Sequence, residues 1–173
     1  MKAITFLGAA AFLLAACSGT TDSRYYLLSA VPPSSATAPI GGAKPVALSS
    51  VHLPGVLDRP ELVVRTGAET VDILEFDRWA EPLDQMVQRV LAQDLSSRLP
   101  AATSSGTAPH LHVVIDEFMT DQTGGAHLIG KWWTGEQEHS FVLAAPTSGT
   151  QGKQIAAALS ALLGQLADDI ARQ

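Results

Sequence analysis

Residues 78–100, RWAEPLDQMVQRVLAQDLSSRLP, place one amphipathic helix between two runs of strand-like sequence. Leu83, Val87, Val90, Leu91, Leu95 and Leu99 recur at intervals of three and four and so share one side of a helix, while Asp84, Gln88, Arg89 and Gln93 fall largely elsewhere. Pro82 is tolerated in a first turn, where its missing N–H has no partner in any case, which puts the helix start near Ala80. Pro100 ends it. Burying six such side chains at about 1.5–3 kcal/mol each is worth on the order of 10 kcal/mol before entropy is subtracted, enough to dock the helix.

On the N-terminal side, Arg24 to Leu28 reads as a short strand ended by Pro32-Pro33, and 31–45 (VPPSSATAPIGGAKP) reads as a mobile surface loop without periodicity. Val46 to Leu53 is a strand candidate stopped by Pro54-Gly55, and Glu61 to Thr66 with Val71 to Phe76 looks like a hairpin turning at 67–70. On the C-terminal side, after an Ala/Thr/Ser/Gly loop, His110 to Asp116 alternates at period two with Leu111, Val113 and Ile115 on one face. His127 to Gly135 and Glu138 to Ala144 follow as strands joined at Glu136-Gln137. Ile155, Ala158, Leu159, Leu162, Leu163, Leu166 and Ile170 then mark a helix from about Gln151 to Ala171. Strands, helix, strands, helix is the order of an α+β domain: a largely antiparallel or mixed sheet with two amphipathic helices packed on one face. That single domain is assigned to 24–173.

The N-terminus carries a different signal. Lys2 precedes an apolar run from Ile4 to Ala16, of signal-peptide length and short of the roughly 20 residues that span a bilayer. It ends in Leu14-Ala15-Ala16-Cys17, and Cys17 is the chain's one cysteine. Small residues suit a peptidase cleft, and the thiol offers a nucleophile for diacylglycerol transfer. The expectation is a lipoprotein signal peptide over 1–16, cleavage between Ala16 and Cys17, and lipidation of Cys17 by diacylglycerol and an amide-linked acyl chain such as palmitate. Two or more chains hold firmly where one binds marginally. Ser18 rather than Asp follows the cysteine, which under enterobacterial sorting rules favours the periplasmic face of the outer membrane. Ser18 to Ser23 complete a lipidated tether, 17–23, whose six residues beyond the cysteine span about 20 Å at most.

Without residues 1–16 the chain has 157 residues and a formal balance of 10 basic against 17 acidic groups, or −7. Such a charge argues against nucleic acid and against electrostatic attachment to anionic headgroups. With Cys17 committed to lipid no thiol remains for a disulfide, and the fold rests on packing. No cofactor beyond the covalent lipid is implied. Gly-x-Ser-x-Gly and phosphate-loop patterns are absent, and Gly124-Gly125 precedes a strand and reads as a turn. His110 and His112 share one strand face and, with Asp116, form the best enzyme-like cluster, yet no complete metal-ligand motif accompanies them; solvated strand histidines are the default reading. Of the adjacent pair Trp132 and Trp133, one side chain should enter the core and the other should face outward, as a partner contact or an edge-packing residue.

Several strings together resemble the PqiC-type family of ABC-transport auxiliary lipoproteins. They are Cys17, Tyr25-Tyr26-Leu27-Leu28, the run VHLPGVLDRPELVVR at 51–65, and above all Arg78-Trp79-Ala80-Glu81-Pro82-Leu83-Asp84 with the helix it opens. Trp79, Pro82 and Leu83, with Trp132 and Trp133, are the candidate structural or partner residues. The resemblance implies a non-catalytic, outer-membrane-anchored subunit that docks against a periplasm-spanning MCE-domain protein in lipid transport. A transported phospholipid and a homo-oligomer are further partners it allows. Two alternatives stay open: a periplasmic metal-dependent hydrolase using His110 and His112, and an envelope-assembly lipoprotein with an unrelated partner. The family pattern supplies no catalytic residues, and the Gly-rich turn at 120–126 has no clear counterpart in it.

Overall fold

A twelve-residue strand, β5 (His110–Asp121), organises the sheet. The computed structural model describes residues 22–33, 43–100 and 108–173. The leader, Ala16, Cys17, most of the tether, residues 34–42 of the Pro/Gly/Ser/Ala segment and residues 101–107 lie outside the described residues. Along one edge β5 pairs antiparallel with β6 (Gly125–Thr134), which pairs in turn with β7 (Gln137–Pro146). Its other edge is shared by two parallel neighbours: β2 (Ala47–His52) follows its first half, and β3 (Glu61–Arg65) meets Thr120 and Asp121 at its end. The antiparallel partner of β3 is β4 (Val71–Trp79), and the short β1 (Arg24–Tyr26) lies parallel to β4 at the edge. The sheet is therefore mixed: its longest ladders are antiparallel, while β1, β2 and β3 each make a parallel pairing.

Alternation selects the face that helices cover. Leu111, Val113 and Ile115 are buried, as are Ala126, Leu128 and Trp132 on β6 and Phe141 on β7. A bulge between Ile115 and Glu117 shifts the phase, so that Phe118, opposite Leu128, rejoins the buried row and the strand runs five residues beyond the expected end at Asp116. Helix α2 (Gly152–Ala171) lies over β5, β6 and β7, and α1 (Leu83–Arg98) packs beside it and against β2. Both helices bury the stripe read from their periodicity, and α1 also buries Met86, Asp94 and Arg98.

Other boundaries also differ from expectation, with β4 running three residues past its expected end at Phe76. Helix α1 begins at Leu83, not near Ala80, because Pro82 is extended with ψ of 130° and forms the cap. A proline disfavours the helical region at the residue before it, here Glu81, and the N–H groups of Trp79 and Ala80 are held by the carbonyls of Pro60 and Tyr26 at 2.7 and 2.9 Å. The β6–β7 turn uses Gly135-Glu136, one residue earlier than Glu136-Gln137. Gly135 has φ of +60°, a value glycine adopts without penalty and hairpin turns require.

A buried ionic clasp fixes the segment after β1 to both helices. The Arg98 guanidinium donates to Asp168 Oδ1 (2.5 Å), to the Asp94 carbonyl (2.9 Å) and to the Val31 carbonyl (3.1 Å), while Asp94 Oδ1 accepts from the Val31 N–H at 2.8 Å. Burial pushes the Asp94 carboxyl up from its ordinary value, against the opposing pull of the Val31 hydrogen bond and Arg98. Two residues earlier, the Ser29 N–H donates to Ser160 Oγ on α2.

Candidate functional site

The segments 51–65 and 78–84 converge on the start of α1. The antiparallel pairing of β3 with β4 sets Glu61 opposite Arg78, joined by a 2.9 Å ion pair, and the Trp79-to-Pro60 hydrogen bond closes the corner. Two grooves flank Leu83 there. One, of about 360 Å³, is lined by Asp58, Arg59, Pro60, Trp79, Glu81 and Pro82; the other, of about 250 Å³, lies among Val51, Leu53, Leu57, Asp58 and Asp84. Trp79 and Leu83 are buried and form the apolar floor, while Pro82 is exposed on the rim.

Charge is concentrated on that rim. Glu81 is paired with Arg89 at 3.1 Å, with both side chains partly exposed. Among the described residues Asp58, Arg59 and Asp84 form no ion pair, and Arg59 Nε donates only to the Val56 carbonyl at 3.0 Å. An apolar floor inside a rim that carries charges of both signs is suited to recognising a protein surface. It presents no nucleophile with an adjacent base.

Trp132 and Trp133 lie elsewhere, opposite Val113 and His112 of β5. Trp132 is buried and stacks on His139 with centroids 4.2 Å apart; Trp133 is half-buried and stacks on His112 at 5.3 Å. The outward tryptophan is thus partly covered by a histidine. The two strand histidines engage neighbouring hydroxyls, His110 Nδ1 with Ser49 Oγ at 2.7 Å and His112 Nδ1 with Ser50 Oγ at 2.9 Å. Among the described residues no three His, Cys, Asp or Glu side chains gather at metal-binding distance.

Two other polar groups serve the fold. Asp121 Oδ1 accepts from the N–H groups of Gly125 and Thr123 and from the Thr123 hydroxyl, and its second oxygen meets His127 at 2.9 Å. These bonds, led by that from Gly125, hold its carboxyl far below the usual range and shape the turn at 122–124. The Tyr26 hydroxyl donates to Asp77 at 2.7 Å, and that bond raises the tyrosine above its ordinary value. The strings at 78–84 and at 51–65, the latter containing Asp58 and Arg59, were both singled out in the sequence, and the pairing of β3 with β4 brings them to one corner.

Comparison with known proteins shows the family and the fold. The family described as "ABC-type transport auxiliary lipoprotein component" matches residues 26–171. The intermembrane transport lipoprotein PqiC of Escherichia coli is 30% identical over 134 residues, covering 74% of this chain and 72% of that protein, and the Shigella flexneri protein of the same name matches equally. Two crystal structures share the fold: an uncharacterized protein, at TM-score 0.72 and 20% identity over 88% of this chain and 98% of the other, and a Xanthomonas campestris protein, at TM-score 0.66 and 17% identity over 86% and 94%. Among the described residues no helix is long and apolar enough to cross a membrane. With the match running from Tyr26 of β1 to the last residue of α2, the chain belongs to the family of ABC-type transport auxiliary lipoproteins.

Proposed function

We propose that this protein is a non-catalytic subunit of an intermembrane lipid transport system, acylated on Cys17, anchored at the periplasmic face of the outer membrane, and docked on a periplasm-spanning MCE-domain protein. In this reading 1–16 is removed as a signal peptide by cleavage between Ala16 and Cys17, 17–23 is the tether, and 24–173 is the working domain. The observation that carries it is the grooved corner at the start of α1, where the two strings behind the family resemblance meet around Trp79, Pro82 and Leu83. Relatedness to PqiC, named as an intermembrane transport lipoprotein, supports the transport role. The partner's contacts fall on Arg59, Asp58 and Pro82 at the rim, with Trp79 and Leu83 shaping the floor. The cargo is a phospholipid.

Copies of the chain assemble into a homo-oligomer in the same proposal. Support comes from the family resemblance, which allows such assembly. The test is co-purification of the full-length chain with the MCE-domain protein from detergent extracts of the native membrane. Capture of that partner is the expected result; repeated failure with the partner present and intact overturns the proposal.

A further inference from the structure

Another groove lies at the opposite helix start, beside the first described residues of the chain. Successive residues of β1 and its continuation alternate: Tyr26 and Leu28 turn inward, while Tyr25 is 65% and Leu27 51% exposed. Between this exposed row and the first turns of α2 runs a groove of about 420 Å³, its far wall formed by Ala156, Ala157 and Ser160, with Lys153 at its edge. Gly152 lets α2 come this close, because a Cβ there would strike the ring of Tyr26. Apart from Lys153 the groove offers mostly aliphatic and aromatic surface.

Two observations identify the occupant. The first is position: six residues, at most about 20 Å of chain, separate Cys17 from Arg24 at the start of β1, so an acylated Cys17 holds Tyr25 and Leu27 next to the leaflet. The second is charge. On a chain with formal net charge −6, Lys153 lines the groove, is exposed and, among the described residues, has no carboxylate partner. A tyrosine and a leucine facing outward with a free ammonium next to them match the interfacial zone of a bilayer, where apolar side chains meet acyl tails and lysine meets phosphate.

We propose that this groove rests on the leaflet that holds the Cys17 acyl chains and takes a membrane phospholipid, its acyl segment against Tyr25, Leu27 and Ala157 and its phosphate at Lys153. The inference rests on the lipoprotein reading of Cys17 and adds a lipid contact that the anchor alone does not require. It assigns the two helix starts to different partners, protein at α1 and lipid at α2.

The test uses the full-length chain, purified after membrane processing and reconstituted into vesicles of phosphatidylethanolamine and phosphatidylglycerol. A photocrosslinking amino acid replaces Leu27 in one variant and Val142, exposed on the far edge strand, in another. Mass spectrometry reads both the Cys17 peptide and the adducts. Expected are an acylated Cys17, phospholipid adducts at position 27 well above those at 142, and about a fivefold fall in the former on adding Lys153→Gln, the factor for one lysine at an anionic surface. An unacylated Cys17 overturns the anchor and the groove assignment together. An acylated Cys17 with equal lipid labelling at 27 and 142, or with protein adducts at 27, overturns the groove assignment alone.

Discussion

The two helix starts differ in almost every respect. Helix α1 has no side-chain cap; Pro82 sets its first turn, and the chain before it is held in the sheet by backbone bonds to Pro60 and Tyr26. Its surroundings are grooves with charges of both signs on the rim. Helix α2 is closed by the Gln154 side chain, whose Oε1 accepts from the Gln151 N–H at 3.1 Å, and comes down on the Tyr26 ring through Gly152. Its groove is mainly apolar, with Lys153 alone supplying a free charge. Both starts nevertheless lean on one short strand, since the Tyr26 carbonyl receives the α1 side and its ring supports the α2 side. A three-residue strand next to the tether thus sets the relative position of two chemically distinct surfaces, which links where the protein is held to what it presents.

Removing the clasp common to both helices should break this arrangement most severely. Arg98→Ala leaves Asp94 and Asp168 without their counter-charge and frees the Val31 carbonyl, at a cost of about 3–5 kcal/mol in chemical denaturation; a loss below about 1 kcal/mol would mean that the clasp does not organise the segment. Gly152→Val should cost about 1–3 kcal/mol by forcing a side chain into Tyr26, with hydrogen exchange accelerated over 152–160 and unchanged over 83–90. Equal acceleration in both stretches would show that the two starts are not separable.

Tyr26→Phe removes the bond to Asp77 and should cost about 1 kcal/mol at neutral pH, with both helices retained by circular dichroism. Its pH dependence has a definite sign. The folded-state value of Tyr26 is raised, so the folded protein keeps that proton above the ordinary value of about 10 where the unfolded chain has lost it. The contribution is therefore complete below about pH 10 and is lost as pH rises through the folded-state value. The variant should lack that alkaline loss. The smallest effects on stability, within about 0.5 kcal/mol, are expected for Arg59→Glu and Lys153→Gln, which change only exposed or rim charges and should act on binding instead.

Much of this fold was legible because its signals are local. Leu111, Val113 and Ile115 announce a half-buried strand by alternation alone, and the leucines of α2 announce its packed face. The parallel neighbours of β5 were not legible, since no short-range pattern tells Ala47–His52 to lie beside residues some 60 positions later. The bulge after Ile115 hid the second half of β5 by breaking the period that had revealed the first. Nothing in the helical period marked Asp94 and Arg98 as buried, and only the passage of Val31 across them explains their burial. The site divides in the same way. Arg78 to Asp84 and the 51–65 run that contains Asp58 and Arg59 stood out by family resemblance, whereas their meeting at one corner, like that of Lys153 with Tyr25 and Leu27, follows only from strand pairing and packing.

The central claim is that protein is recognised at the α1 corner and lipid at the α2 groove. Its most direct test is parallel co-purification, from detergent extracts, of the full-length chain carrying no substitution, Arg59→Glu or Lys153→Gln, each checked for an unchanged melting transition. The unsubstituted and Lys153→Gln proteins should bring down the MCE-domain partner, and Arg59→Glu should lose it. Equal recovery with Arg59→Glu, or no recovery by the unsubstituted chain with the partner intact, would contradict the claim.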